Sequence, residues 1–180
     1  CITFQSKELV QVSNLNQPVI PVEAGIYMNT LTIHTDGAAR GNPGDAGIGV
    51  VIKWTCLCGA RKQDGAVRRY KKYLGVATNN KAEYEALVFA LIKARGLIAI
   101  KRLEIEKIIC YSDSELMVRQ LNRIYKVKNA ELEKLFITVW NVSQKLPKVE
   151  YKHIAREKNK EADKLANKAI DAAASKALPN

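Results

Sequence analysis

Four acidic residues lie where their carboxylates could act together. Asp36 and Asp113 each follow an apolar run that predicts a strand, and Glu83 and Asp163 each lie near the start of a predicted helix. Ligands of α/β sheets gather at the carboxyl ends of strands where the strand order reverses, so these side chains are expected to meet there. Clustered carboxylates repel one another unless cations lie among them, and oxygen ligands suit Mg²⁺ or Mn²⁺. The pattern favours a metal site, although acids near helix starts also simply balance the helix dipole.

Glycines crowd the segment that follows Asp36. Five of them fall between positions 37 and 49, namely Gly37, Gly41, Gly44, Gly47 and Gly49. The segment predicts a glycine-rich turn directly after the first strand, either as a plain hairpin or as a place where another molecule approaches the backbone. It is not a phosphate loop of the G-x-x-x-x-G-K type, because the lysine and the helix entry are missing.

The elements that would carry the acids follow a mixed α/β order. Strands are predicted over 31–35, 48–54, 67–76, 105–111 and 149–154, with a turn at 63–65. Helices are predicted over 81–95 with Gly96 as the stop, over 115–121, after Asn129 until Pro147, and over 161–174. The expected fold is α/β, with a five-stranded mixed sheet flanked by helices. Its first three strands form an antiparallel meander with a charged edge strand, and the other two are parallel.

Composition restricts the classes of function. The chain has 180 residues, and 29 Lys and Arg face 18 Asp and Glu, which gives a net charge of +11 and favours a polyanionic partner. No apolar run is long enough for a membrane span, and no signal-peptide pattern is present. The cysteines are few, and the C-x-C pair Cys56 and Cys58 lacks a nearby His, so reduced thiols in a cytoplasmic protein are expected rather than a zinc site.

Domain boundaries follow from the distribution of charge and periodicity. Residues 1–27 carry few charges and no sustained period, and they are interpreted as an N-terminal extension outside the core. A single folded domain is expected over 28–174, followed by a short tail over 175–180. We expect this domain to be a monomer.

Four ordered motifs together resemble one family. They are T-D-G-A-A-R-G-N-P-G, A-T-N-N-K-A-E-Y, Y-S-D-S-E and A-R-E-K-N-K-E-A-D-K-L-A. The set resembles type 1 ribonuclease H, in particular its compact bacterial and archaeal-like branch, over most of the chain. The resemblance implies a ribonuclease H-like fold over the catalytic domain. It also implies two-metal hydrolysis of the RNA strand of an RNA/DNA hybrid, leaving 5′-phosphate and 3′-hydroxyl ends.

The resemblance assigns roles residue by residue. Asp36, Glu83, Asp113 and Asp163 match the catalytic acids that bind two Mg²⁺ ions, with Mn²⁺ as a substitute. Contacts to the hybrid are implied for the glycine segment and two polar stretches, namely Gly37, Arg40, Asn42, Thr78, Asn79, Asn80, Ser114 and Glu115. The polar residues before the first helix also fit as helix caps.

The sequence departs from the family's pattern at two places. Arg156 stands where many bacterial members carry a His before the last helix, and its auxiliary role could only be electrostatic. Glu115 stands where the family often has Gln. His34 and His153 lie inside predicted strands, and we interpret both as packed residues rather than catalysts.

Hybrid binding should be weak and salt-sensitive, because the family's larger basic accessories are represented here only by Arg123–Lys128. Other classes stay open. The domain could be a non-catalytic hybrid-binding module, or a reverse-transcriptase-associated relative within a polyprotein. The four acids argue against the pure binder, and the final motif argues against a transposase or integrase of similar fold.

Overall fold

The computed structural model describes residues 29–56 and 63–177 of the chain. The predictions for the extension over 1–27, for Cys58 and for residues 178–180 of the tail fall outside these described ranges. No helix in the described ranges is long and apolar enough to cross a membrane.

A five-stranded mixed sheet forms the centre of the domain, as predicted. Its strands are β1 (Thr30–Gly41), β2 (Gly44–Cys56), β3 (Gln63–Ala77), β4 (Lys107–Ser112) and β5 (Lys148–His153). The spatial order is β3-β2-β1-β4-β5. The first three strands pair antiparallel, whereas β4 pairs parallel with both β1 and β5. The charged strand β3 therefore lies at one edge of the sheet, where charge discourages pairing with other chains.

Helices cover both faces of this sheet. They are α1 (Asn79–Lys101), α2 (Glu115–Leu121), α3 (Ala130–Ser143) and α4 (Lys160–Ala177), with a short 3₁₀ turn over Arg156–Lys158. Thr78 caps α1 and Asn129 caps α3, each accepting hydrogen bonds from backbone N–H groups of the first turn. The helix α4 continues to Ala177, three residues beyond its predicted end.

The main core lies between the sheet and α1. Alternate residues of the central strands point to this side, among them the fully buried Leu31, Ile33, Val50 and Ile52, and they pack against Leu87 and Leu91 of α1. Helix α3 packs against the outer side of α1, and α4 covers β2 and its neighbours on the opposite face of the sheet. The two helices α1 and α4 thus hold the sheet between them.

The glycine-rich segment forms a hairpin, one of its two predicted forms, but the strands are longer than predicted. β1 and β2 continue as a regular ladder from Leu31↔Trp54 to Gly41↔Gly44, and only Asn42 and Pro43 form the turn, so Asp36 lies within β1 and not at its end as expected. The physical reason is the packing of helices on both faces. A Cβ on Gly37 would lie 2.2 Å from backbone atoms of α1, and a Cβ on Gly49 would lie 2.0 Å from a carbonyl oxygen of α4.

Two other boundary predictions were wrong. Gly96 does not end α1, which continues for another turn to a left-handed cap at Arg102, because Leu97 and Ile98 pack against the core. That burial outweighs the cost of about 1 kcal/mol for glycine inside a helix. Residues 63–65 belong to β3 rather than to a turn.

Candidate active site

The pairing of β1 with β4 places the first two acids side by side. The parallel register ends at His34↔Tyr111, and continuing it by two residues sets Asp36 opposite Asp113. Neighbouring strands are about 4.8 Å apart, and parallel partners at equivalent positions point to the same face. Asp36 is 8% exposed, so its carboxylate lies largely out of solvent.

The first turns of α1 bring Glu83 to the same place. Gly37 has no side chain, and its Cα therefore approaches the backbone of Ala82 and Glu83 closely. Ser114, which caps α2 directly after Asp113, donates a hydrogen bond to Glu83 Oε2. Asn79 donates another to Glu83 Oε1 over 3.1 Å. These two donors fix the carboxylate beside the end of β4.

The start of α4 supplies the fourth acid. Gly49 pairs with Asp36 across the β1–β2 ladder, and its missing Cβ admits Ala162 and Ala166 of α4 against the sheet. Asp163 follows Ala162 and accepts a hydrogen bond from Arg156 Nη2 over 3.2 Å. Two glycines lie next to Asp36, Gly37 in the chain and Gly49 across the ladder. They admit the helices that carry Glu83 and Asp163.

The electrostatics show that the four carboxylates act on one another. Burial, together with the charges of Asp113, Asp163 and Glu83, raises the pKa of Asp36 to about 7. Burial and the charge of Asp113 raise the pKa of Glu83 to about 7, although the hydrogen bonds from Ser114 and Asn79 act in the opposite direction. Because the charged forms of Asp36 and Glu83 are disfavoured here, a cation placed among the oxygens would stabilise them.

The donor set fits hard divalent ions. The four acids offer only oxygen atoms, which are the ligands that Mg²⁺ and Mn²⁺ prefer. Within the described residues, no three His, Cys, Asp or Glu side chains converge closely enough to hold a single ion between them. Three of the acids instead hold hydrogen bonds with Ser114, Asn79, Asn159 or Arg156.

Several residues predicted to contact substrate are engaged within the protein. Asn42 accepts a hydrogen bond from the Asn79 backbone N–H over 3.2 Å, so the hairpin turn is tied to the start of α1. Arg40 pairs with Asp171 of α4, and Glu115 pairs with Arg119 over 2.6 Å. Asn80 is exposed at the start of α1. All of them border the acid cluster or the hairpin beside it, and their roles in substrate binding stay predictions.

Arg156 and the two histidines of the described chain lie in different surroundings. Arg156 is 77% exposed and lies over the cluster, bound to Asp163 and close enough for the charges of Asp113 and Asp36 to act on it. His34 stacks on Tyr111 with 5.0 Å between ring centroids, and burial followed by the charge of Lys53 lowers its pKa. His153 was expected to be packed, but it ends β5 with an exposed side chain, because only part of this edge strand is covered.

One buried residue of the site was missed from the sequence. Asn159 is 1% exposed, and its amide donates hydrogen bonds to the Thr35 carbonyl over 2.9 Å and to Asp113 Oδ1 over 2.7 Å. Its only signal in the sequence was its place four residues before Asp163 in the last motif. That spacing puts Asn159 one turn before the acid, at the start of α4.

The strand order defines the ribonuclease H-like class of folds, together with acids within β1, directly after β4 and in the first turns of α1 and α4. The family model described as Reverse transcriptase-like matches residues 34–169. Among solved structures, that of LC11-RNase H1 in complex with an RNA/DNA hybrid is 42% identical. The match covers 79% of the present chain and 98% of the LC11-RNase H1 chain, with a TM-score of 0.69.

Relatives of known sequence agree with this class. Ribonuclease HI of Halobacterium salinarum is 33% identical over 136 residues, covering 76% of this chain and 62% of that protein. The Bifunctional protein Rv2228c of Mycobacterium tuberculosis is 36% identical over 147 residues, which are 82% of this chain. The chain spans 37% of the length of that relative. The chain belongs to the type 1 ribonuclease H family.

Proposed function

We propose that this domain is an endonuclease that hydrolyses the RNA strand of RNA/DNA hybrids and leaves 5′-phosphate and 3′-hydroxyl ends. The observation that carries the proposal is that carboxylates from β1, the end of β4, α1 and α4 lie near enough to act on Asp36: burial first, and then the charges of Asp113, Asp163 and Glu83, raise its pKa to about 7. A domain that only bound nucleic acid would gain nothing from such concentrated negative charge next to phosphates.

Asp36 and Asp113 are the central metal-binding residues in this proposal, and Glu83 and Asp163 complete the set from the two helices. Two Mg²⁺ ions, or Mn²⁺ in their place, would supply activation of the attacking water and stabilisation of the leaving 3′ oxygen when bound. Arg156 stays protonated at every working pH, and its position over Asp163 allows it to attract a phosphate oxygen or the cleaved product.

The hybrid would lie against the acid cluster. Asn80 is exposed at the start of α1, and Asn42 ties the β1–β2 hairpin to this start, so polar groups of both would be available to the 2′-hydroxyls that distinguish RNA from DNA. Gly37, Arg40, Asn42, Thr78, Asn79, Ser114 and Glu115 complete the proposed contact set. We further propose that the domain, over 28–174, acts as a monomer in the cytoplasm.

A cleavage assay tests the proposal. The chain is incubated with end-labelled RNA/DNA hybrid in Mg²⁺ or Mn²⁺, alongside Asp113→Asn and the control Asn122→Ala, whose amide donates to the Tyr151 carbonyl rather than to any of the four acids. Wild type and Asn122→Ala should cut the RNA strand, and Asp113→Asn should lose most activity. Binding of the hybrid without cleavage by wild type would instead identify a binding module. Parallel lanes with double-stranded RNA measure substrate breadth.

A further inference from the structure

We propose that Asn159 is a positioning residue that orients the Asp113 carboxylate and locks the three elements carrying Asp36, Asp113 and Asp163 into one arrangement. This inference rests on the proposed nuclease function, because it concerns how the acids are presented to cations. Asn159 itself touches neither substrate nor reacting atoms in this proposal.

The contacts of Asn159 reach all three elements. Its amide Nδ2 donates to the carbonyl of Thr35, the residue before Asp36 on β1, over 2.9 Å. The same nitrogen donates to Oδ1 of Asp113, just after β4, over 2.7 Å. The backbone carbonyl of Asn159 accepts the hydrogen bond of the Asp163 N–H over 3.1 Å, which opens α4. One residue thus connects directly to positions that are 124 and 46 residues away in the chain.

The chemistry of the partners fixes the orientation of the amide. The Thr35 carbonyl can only accept hydrogen bonds, and so can a carboxylate oxygen that carries no proton, so the NH₂ end faces them. A flipped amide would set its oxygen against the carboxylate. The other end, Asn159 Oδ1, is buried and accepts no hydrogen bond of good geometry, and the imidazole of His34 is the neighbouring group that interacts with this side chain.

This geometry divides the two oxygens of Asp113 between two tasks. Oδ1 accepts the amide N–H, and in this proposal Oδ2 is the oxygen turned to a cation. A hydrogen bond to a charged acceptor is short and strong, so it restricts rotation of the carboxylate. Outer partners of this kind typically contribute 10- to 100-fold to metal affinity or activity.

The test compares Asn159→Ala and Asn159→Ser with wild type and with Asn122→Ala. Serine keeps a favourable residue at the start of α4 but cannot span both acceptors, so it separates amide donation from helix capping. Asn122→Ala removes another amide-to-carbonyl hydrogen bond, between the end of α2 and β5, and serves as the matched structural control. Mg²⁺ binding without nucleic acid is measured by calorimetry, and steady-state cleavage is measured at saturating Mg²⁺.

We expect both Asn159 variants to bind Mg²⁺ about 10- to 100-fold more weakly, with lower kcat and a nearly unchanged KM for the hybrid. Asn122→Ala should have a lower melting temperature than wild type but the same Mg²⁺ affinity. If wild type binds Mg²⁺ and cuts, but the Asn159 variants keep wild-type Mg²⁺ affinity, the inference is overturned whatever happens to their stability. If wild type does not cut at all, it is the proposed function that fails.

Discussion

Replacing Gly37 with alanine should push the start of α1 away from β1. The new Cβ would lie 2.2 Å from Ala82 C and Glu83 N, both backbone atoms, whereas ordinary contacts begin at 3.4 Å. Neither neighbour can rotate away, so the start of α1 must move by about 1 Å. Overpacking of this kind costs about 1–3 kcal/mol of unfolding free energy. That cost corresponds to a melting temperature lower by roughly 3–10 °C for a domain of this size.

The displacement also carries Glu83 away from Asp36 and Asp113. A misplacement of about 1 Å in a catalytic group can reduce the rate on the order of 100-fold. Melting curves and hybrid cleavage at saturating Mg²⁺ measure the two effects. If Gly37 acted mainly by touching the RNA, the variant would raise KM and leave Mg²⁺ affinity unchanged. If it positions Glu83, Mg²⁺ affinity and kcat fall instead.

Gly96→Ala is the matched control for this prediction. Gly96 lies inside α1, a Cβ there meets nothing within 4 Å, and its backbone is ordinary helix. Alanine should therefore stabilise the domain by about 1 kcal/mol and leave cleavage unchanged. Wild-type melting temperature and wild-type cleavage in Gly37→Ala would refute the role assigned to this close approach.

Three further predictions concern charge. Because the folded state holds the Asp36 and Glu83 protons up to about pH 7, the metal-free domain should lose stability as pH rises from about 4.5 to 7. The rise in melting temperature caused by Mg²⁺ should then be larger at pH 8 than at pH 5.5, and equal rises would contradict this. Arg156→Ala should lower kcat on the order of 10-fold, because the 77% exposed guanidinium acts only by its charge. Arg156→Lys keeps the charge and should restore part of the rate. Equal rates in wild type and the alanine variant would exclude that role. If roughly three phosphates are neutralised, hybrid affinity should fall about 40-fold between 50 and 200 mM salt, and a flat titration would contradict it.

The parts of the fold that were predictable are those encoded locally. Alternating and helical periodicity gave the five strands and four helices in their order, and α2 matches its predicted bounds of Glu115–Leu121. The expectation that Asp36 and Asp113 lie close together also followed from the sequence, because each comes after an apolar run typical of a strand, although Asp36 lies within β1 rather than after it. Such signals depend only on neighbours within one element.

The parts that were missed depend on contacts between distant segments. Gly37 and Gly49 look like turn residues until α1 and α4 are placed against them. Gly96 looks like a helix stop, but the burial of Leu97 against the core decides otherwise. Asn159 reaches a partner 124 residues away, and no local pattern in the sequence indicates which carbonyl or carboxylate an asparagine will bind.

The position of α4 has a consequence for the order in which the domain is made. This helix follows every other described element in the chain, yet it covers one face of β2 and supplies Asp163. Asn159 directly precedes it. A nascent chain that has emerged from the ribosome only as far as β5 would expose Val51 and its neighbours and would lack the fourth acid. A chain of that length therefore lacks one of the four carboxylates of the proposed metal site, which is complete only when α4 has been synthesised and has docked.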